Sequence, residues 1–132
     1  MPKTLNGQYD VVIGFFVLHH LQDLKETFDA ISMLLKPTGR VLFIEPNPYN
    51  LLFYLQVLFH PKMRWKNERY MLNMRRPLLT SAMREFTHFQ MERFGFFPPF
   101  LHQKLGKIER KLEKIPICRP FLPFQVFYGE KN

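Results

Sequence analysis

The chain has 132 residues, enough for one domain with a substantial core. Its one cysteine, Cys118, rules out an internal disulfide framework and fits a reducing, cytoplasmic setting. The net charge of +8 is concentrated in Lys62–Arg76 and Lys104–Arg119, while residues 1–50 are close to neutral. No zinc knuckle or RNP-type motif accompanies those charges. The excess therefore reads as a solvated basic face, and no nucleic-acid partner is expected. Residues 1–10 lack the basic-then-apolar order of a secretion signal.

Asp10–Phe16 (DVVIGFF) is a nearly unbroken apolar run, the pattern of a parallel strand covered on both faces. Leu24, Phe28, Ile31 and Leu35 then recur at helical spacing over Asp23–Leu35. Asp23 is placed to cap that helix, with Glu26 three positions on. Pro37 stops it, and Lys36-Pro37-Thr38-Gly39 reads as a tight turn. Val41–Ile44, ending at Glu45, is a second buried strand. Strand, helix and strand form one βαβ unit over 8–46, with a right-handed crossover expected.

Pro46 and Pro48 break the chain before Leu51–Phe59 (LLFYLQVLF), which is apolar nearly all round. It is too short to span a bilayer, which takes about twenty residues. A helix buried in the domain is expected there. The rival readings are a lid over a hydrophobic substrate and a peripheral membrane or lipid contact through 51–76. Further on, the pattern predicts a helix from Pro77 to about His88, a strand over Phe89–Phe96, a helix near 102–114 and a last strand over Phe124–Tyr128. In the last helix Leu101, Leu105, Ile108, Leu112 and Ile115 form a stripe expected to face the core, opposite five basic residues. No repeat or linker divides the chain, so 1–132 is one unit with parts at 8–46, 47–76 and 77–132.

None of the glycines stands in a G-x-G arrangement, and Walker, CxxC and HExxH motifs are absent. Ser32 and Ser81 lack a nucleophile-elbow context. The chemistry-bearing candidates lie at the carboxyl end of the first strand, where open parallel sheets bind ligands: Gly14, Phe15 and Phe16, followed by His19 and His20 in one loop. No Asp, Glu or Cys at ligand spacing joins the histidines, so no metal is expected. One histidine is expected to pack or cap the loop and the other to act as a base or substrate contact. Glu45 either faces the same cleft or stabilises the turn before Pro46.

Tyr9-Asp10, Val17-Leu18-His19-His20-Leu21 and Leu35-Lys36-Pro37-Thr38-Gly39, with the strand VLFIEPNP after them, resemble one stretch of the class I S-adenosylmethionine-dependent methyltransferases (type 11/12-like). That stretch is the family's fourth strand, following helix and fifth strand, with Thr38 in place of a glycine. The resemblance implies an α/β fold. It is the C-terminal half, strands 4-5-7-6, of a Rossmann-like seven-stranded sheet with flanking helices. It also implies methyl transfer from S-adenosylmethionine to a small-molecule acceptor, and the Phe-rich insert suggests an apolar one. Gly14, Phe15 and Phe16 would line the methionine side of the cofactor, and His19 and His20 would lie at the substrate end as candidate bases. Some quinone-pathway members of the class hold a divalent metal with acidic residues in this loop. Phe16 and His19 stand at those places, so no metal is implied. The family's glycine-rich cofactor loop has no counterpart here, and the first strand would become an open sheet edge. The expectation is thus a partial domain that acts with a missing N-terminal half or a partner chain. The alternative is a non-catalytic truncated paralogue that works through chain pairing at that edge.

Overall fold

The computed structural model describes residues 5–59, 61, 64–95 and 99–132, with the backbone alone at 52, 56, 67, 99–105 and 120. In chain order the elements are β1 (Tyr9–Phe15), a 3₁₀ turn (Leu18–His20), α1 (Leu24–Leu34), β2 (Leu35–Pro46), α2 (Leu51–Phe59), α3 (Trp65–Glu68) and a second 3₁₀ turn (Met71–Met74). There follow α4 (Arg76–Ala82), β3 (Phe86–Phe94), α5 (Pro99–Leu112), a third 3₁₀ turn (Arg119–Phe121) and β4 (Phe124–Lys131). The described strands form one sheet in the order β1-β2-β4-β3. β1 runs parallel to β2, and β4 is antiparallel to both its neighbours. The last strand thus wedges between β2 and β3 and returns the chain to the centre of the sheet.

Local chemistry explains the ends of α1. Asp23 Oδ1 accepts the N–H of Glu26 at 2.9 Å, as its cap position predicts. At the other end Lys131 Nζ donates to the carbonyls of Ser32 (2.6 Å) and Leu35 (2.9 Å). A cation from β4 therefore meets the negative end of the helix. The expected turn after α1 is not a free turn but an irregularity inside β2. Leu35 already pairs with Tyr9, and the next pair is Val11 with Arg40, so Lys36–Gly39 loop out of the ladder. Thr38 adopts φ +61° to allow this, a conformation that suits glycine better than a β-branched residue.

The core lies on one side of the sheet. Phe28 of α1 is fully buried, and its ring meets those of Phe43 (5.9 Å), Phe86 (5.9 Å) and Phe127 (6.5 Å) between centroids. Val41, Met74, Leu79 and Met83 belong to the same cluster. Burying one such phenylalanine contributes about 1.5–3 kcal/mol.

β1 is the edge strand of the described sheet, as expected. Several other expectations change. One face of β1 is open rather than covered: Val11, Ile13 and Phe15 are exposed, while Gly14 is buried and Val12 is half-buried against the core. Its apolar residues lie on both faces, and Val12 marks the one that meets the core. α2 forms where expected, but among its described side chains only Val57 is buried, whereas Leu51, Leu58 and Phe59 are largely exposed. A helix that is apolar all round has just one face to rest on its domain. α4 ends at Ala82 rather than His88, and β3 already starts at Phe86. His88 lies in a break of register between Thr87 and Gln90, with φ +52°. On α5, Ile108 is half exposed and Ile115 beyond it 40% exposed, while Glu109 is buried. The stripe is therefore not core-facing along its described part. That end of the helix is tied instead by a polar bond from Gly95 N–H to Glu113 Oε1 at 2.8 Å. The side chains of Leu101 and Leu105, and Lys62 and Phe96 entirely, lie outside the described residues. No helix among the described residues is long and apolar enough to cross a membrane.

Candidate active site

Val41, Phe43 and Glu45 alternate onto the helix-covered face of β2, so the two-residue strand period carries a carboxylate into the interior. Glu45 is fully buried. An uncompensated carboxylate there would cost several kcal/mol. It is compensated by three donors. Oε1 accepts the backbone N–H groups of Val17 and Leu18, each at 2.9 Å, and Oε2 accepts from His19 Nδ1 at 2.6 Å. The loop leaving β1 is thereby wound around the end of β2. Phe16, at φ +50°, makes the corner and donates its own N–H to Ile44 O at 2.9 Å.

His19 is buried, and its donation from Nδ1 assigns the lone pair to Nε2. That nitrogen lies 3.4 Å from Glu68 Oε2, a buried oxygen with no hydrogen-bond partner. A buried imidazole is thus held between two carboxylates, one bonded to it and one facing its free nitrogen. An imidazole held in this way has one ring nitrogen fixed and presents the other for proton transfer. His20 is exposed, with its ring 3.9 Å from that of His19. The ligand atoms of His19, His20 and Glu68 lie within 4.8 Å of one another, so these described residues have the arrangement to hold a metal ion. An acid therefore does join the histidines, although it comes from α3 rather than from their own loop. The sequence signal for it is its isolation: Glu68 is the one carboxylate between Lys62 and Arg76.

The other sequence-chosen residues share this end of the sheet but differ in task. A Cβ on Gly14 would sit 2.2 Å from Phe43 Cε1, so the missing side chain is taken up by packing against the core ring. Phe15 and Phe16 expose 61% and 45% of their surface at the carboxyl end of β1. Phe16 also rests on Phe124, with 5.6 Å between ring centroids. Sequence reading missed the anchors of the next loop. Asn47 is buried, with its Nδ2 donating to Leu122 O (2.7 Å) and its N–H to Pro123 O (2.8 Å). Buried Gln125 donates from Nε2 to Met74 O at 2.8 Å. Tyr54 donates its hydroxyl to Pro48 O at 2.7 Å, and burial holds that phenol above its ordinary pKa.

Comparison with known proteins is consistent with this geometry. A model of the methyltransferase domain matches residues 1–97. The Dictyostelium discoideum protein named "Probable polyketide synthase 27" is 42% identical over 50 residues, which is 38% of this chain and 2% of that protein. "Probable polyketide synthase 34" from the same organism is 40% identical over 57 residues, again 2% of its length. Among solved structures, a SAM-dependent methyltransferase from Archaeoglobus fulgidus superposes with a TM-score of 0.59 at 17% identity, over 98% of this chain and 62% of that one. A SAM-dependent methyltransferase from Thermotoga maritima gives 0.64 at 15% identity, over 96% and 57%. These likenesses show the fold, and the chain spans about three fifths of those two structures.

Proposed function

The chain belongs to the methyltransferase-domain family, and we propose that it serves methyl transfer from S-adenosylmethionine to a small-molecule acceptor, with His19 as the base that removes the acceptor's proton. The observation carrying this reading is the buried bond from His19 Nδ1 to Glu45 Oε2 at 2.6 Å, which leaves Nε2 as the ring's other nitrogen, facing Glu68. When bound, the cofactor supplies an electrophilic methyl carbon whose bond to sulfur breaks with the electron pair left on sulfur. Phe15 and Phe16 fit an apolar wall for it, since their rings are exposed at the carboxyl end of β1. Gly14 is committed to Phe43 and supports that wall only through its backbone. No G-x-G turn is present to cradle the cofactor. The order β1-β2-β4-β3 supports reading the chain as the family's 4-5-7-6 half, in which the strands that bring such a turn would pair with the open edge of β1.

Within the site, His19 accepts the acceptor's proton at Nε2. Glu45 is a positioning residue that fixes the tautomer and ring plane. Glu68 faces the nitrogen that gains charge. His20, exposed beside it, contacts the acceptor. The reading favours acceptors with an acidic proton, a hydroxyl or a carbon next to a carbonyl. Full-length protein with His19→Gln, given S-adenosylmethionine and a panel of such acceptors, should lose on the order of 10²–10⁴ in turnover. Calorimetric binding of the cofactor should persist. Unchanged turnover would remove His19 from the mechanism.

The exposed apolar edge of β1 favours a second reading, in which the domain acts without catalysis by pairing that edge with another chain. A concentration-dependent dimer in size-exclusion chromatography, abolished by Ile13→Lys, together with no turnover on any acceptor, would favour it over the enzyme.

A further inference from the structure

One row of paired residues crosses the sheet at the site's end: Glu45 of β2 lies opposite Gln125 of β4, and Gln125 lies opposite Arg93 of β3. Directly opposed residues of antiparallel strands share a face. Arg93 therefore leaves the sheet on the same side as Glu45, two strand spacings or about 10 Å away. There it lines a cavity of about 240 Å³ together with Arg76, Arg119, Met91 and Glu92. The three guanidinium groups come from α4, β3 and the turn before β4, parts of the chain far apart in sequence.

Arg93 is half-buried with its plane supported by Tyr49, whose ring centroid is 5.3 Å from Cζ. Its Nε is buried and has no hydrogen-bond partner. Desolvation depresses its pKa, and among the smaller influences the nearby positive charge of Arg76 acts in the same direction, against Tyr49. Three like charges around one cavity, offset there by the single exposed carboxylate of Glu92, leave about two positive charges without a counter-charge among its lining residues. That excess matches a phosphate monoester, which carries about −1.5 to −2 at neutral pH. Guanidinium groups bind such oxygens through paired, charge-assisted hydrogen bonds.

We propose that this cavity binds a phosphoryl group on the methyl acceptor, about 10 Å along the sheet from Glu45, the residue that holds His19. The proposal rests on the reading of His19 as the base, because that reading fixes where the acceptor's reactive atom lies. The phosphoryl group belongs either to a soluble small molecule or to a lipid headgroup, and two experimental arms tell them apart. In the first, inorganic phosphate and butyl phosphate are titrated into full-length protein and followed by calorimetry. In the second, vesicles of phosphatidylcholine with or without phosphatidic acid are co-sedimented with the protein.

Saturable binding in either arm, weakened about tenfold or more by Arg93→Gln and by the exposed-site variant Arg119→Gln, is the expected result. Arg84→Gln, at the other end of β3, should leave it unchanged. Binding in solution identifies a soluble acceptor, and binding to acidic vesicles alone identifies a lipid. Absence of saturable binding in both arms, or equal loss in the Arg84 control, would overturn the proposal. Circular dichroism of each variant separates a lost site from a lost fold. The readout needs no turnover, so failure here and failure of the base assignment are separate results.

Discussion

Two carboxylates on the ladder between β2 and β4 stand in opposite circumstances. Glu45, near the end of β2, is fully buried and accepts from Val17, Leu18 and His19. Glu130, opposite Arg40 near the start of the ladder, accepts from Arg40 Nε at 3.2 Å and from the Tyr128 hydroxyl at 3.0 Å beside solvent. Water can replace the partners of Glu130. Two of the three partners of Glu45, Leu18 and His19, are buried, so that carboxylate dictates the shape of a loop and the orientation of a histidine. The same residue type is surface dressing at one end of the sheet and the organiser of a site at the other.

Substitutions should expose that difference. Glu45→Ala leaves buried donors without an acceptor and should cost about 3–5 kcal/mol of stability, read as a fall in the urea midpoint. A loss below about 1 kcal/mol would show that the loop finds other partners. Glu68→Gln should barely alter the urea midpoint. It removes the carboxylate that faces His19 Nε2 at 3.4 Å, so turnover should fall on the order of tenfold as the charge developing on that nitrogen loses its partner. Thr38→Gly should raise stability by about 1 kcal/mol by relieving a left-handed threonine, and destabilisation would contradict the φ of +61°.

The smallest effect belongs to Glu130. Its carboxyl is held below the ordinary range, first by the Tyr128 hydroxyl and then by Arg40. A depressed folded pKa stabilises the fold above the unfolded value and ceases to do so as the pH falls through the folded one. Wild type and Glu130→Gln should therefore differ slightly at neutral pH and converge in acid. A gap that widens in acid would reverse the assignment.

Much of this was legible in the residues themselves. The βαβ unit announced itself because its strands are apolar runs and its helix carries both a cap and a period. Asp23, Phe28 and Glu45 stand where pattern alone would put them. The open edge of β1 was legible too, once the glycine turn was seen to be missing, but its open face was not. What stayed hidden depends on long-range folding. Glu68 reaches His19 only because α3 folds back across the Leu18–His20 turn, and no spacing rule links residues that far apart. Arg93 joins Arg76 and Arg119 only through the antiparallel return of β4. The length of β2 was misjudged because Pro37 and Gly39 are turn residues, although here they loop out of a continuing strand.

The central claim is that Glu45 sets His19 as a base. Glu45→Gln in full-length protein tests it most directly, because glutamine keeps the shape but presents an N–H₂ group to Nδ1. The imidazole is then driven to carry its proton on Nε2, where it can no longer accept one. The account predicts a turnover loss on the order of 10²–10⁴ with cofactor binding and fold retained. Turnover within about twofold of wild type, on a variant shown to be folded, would contradict it.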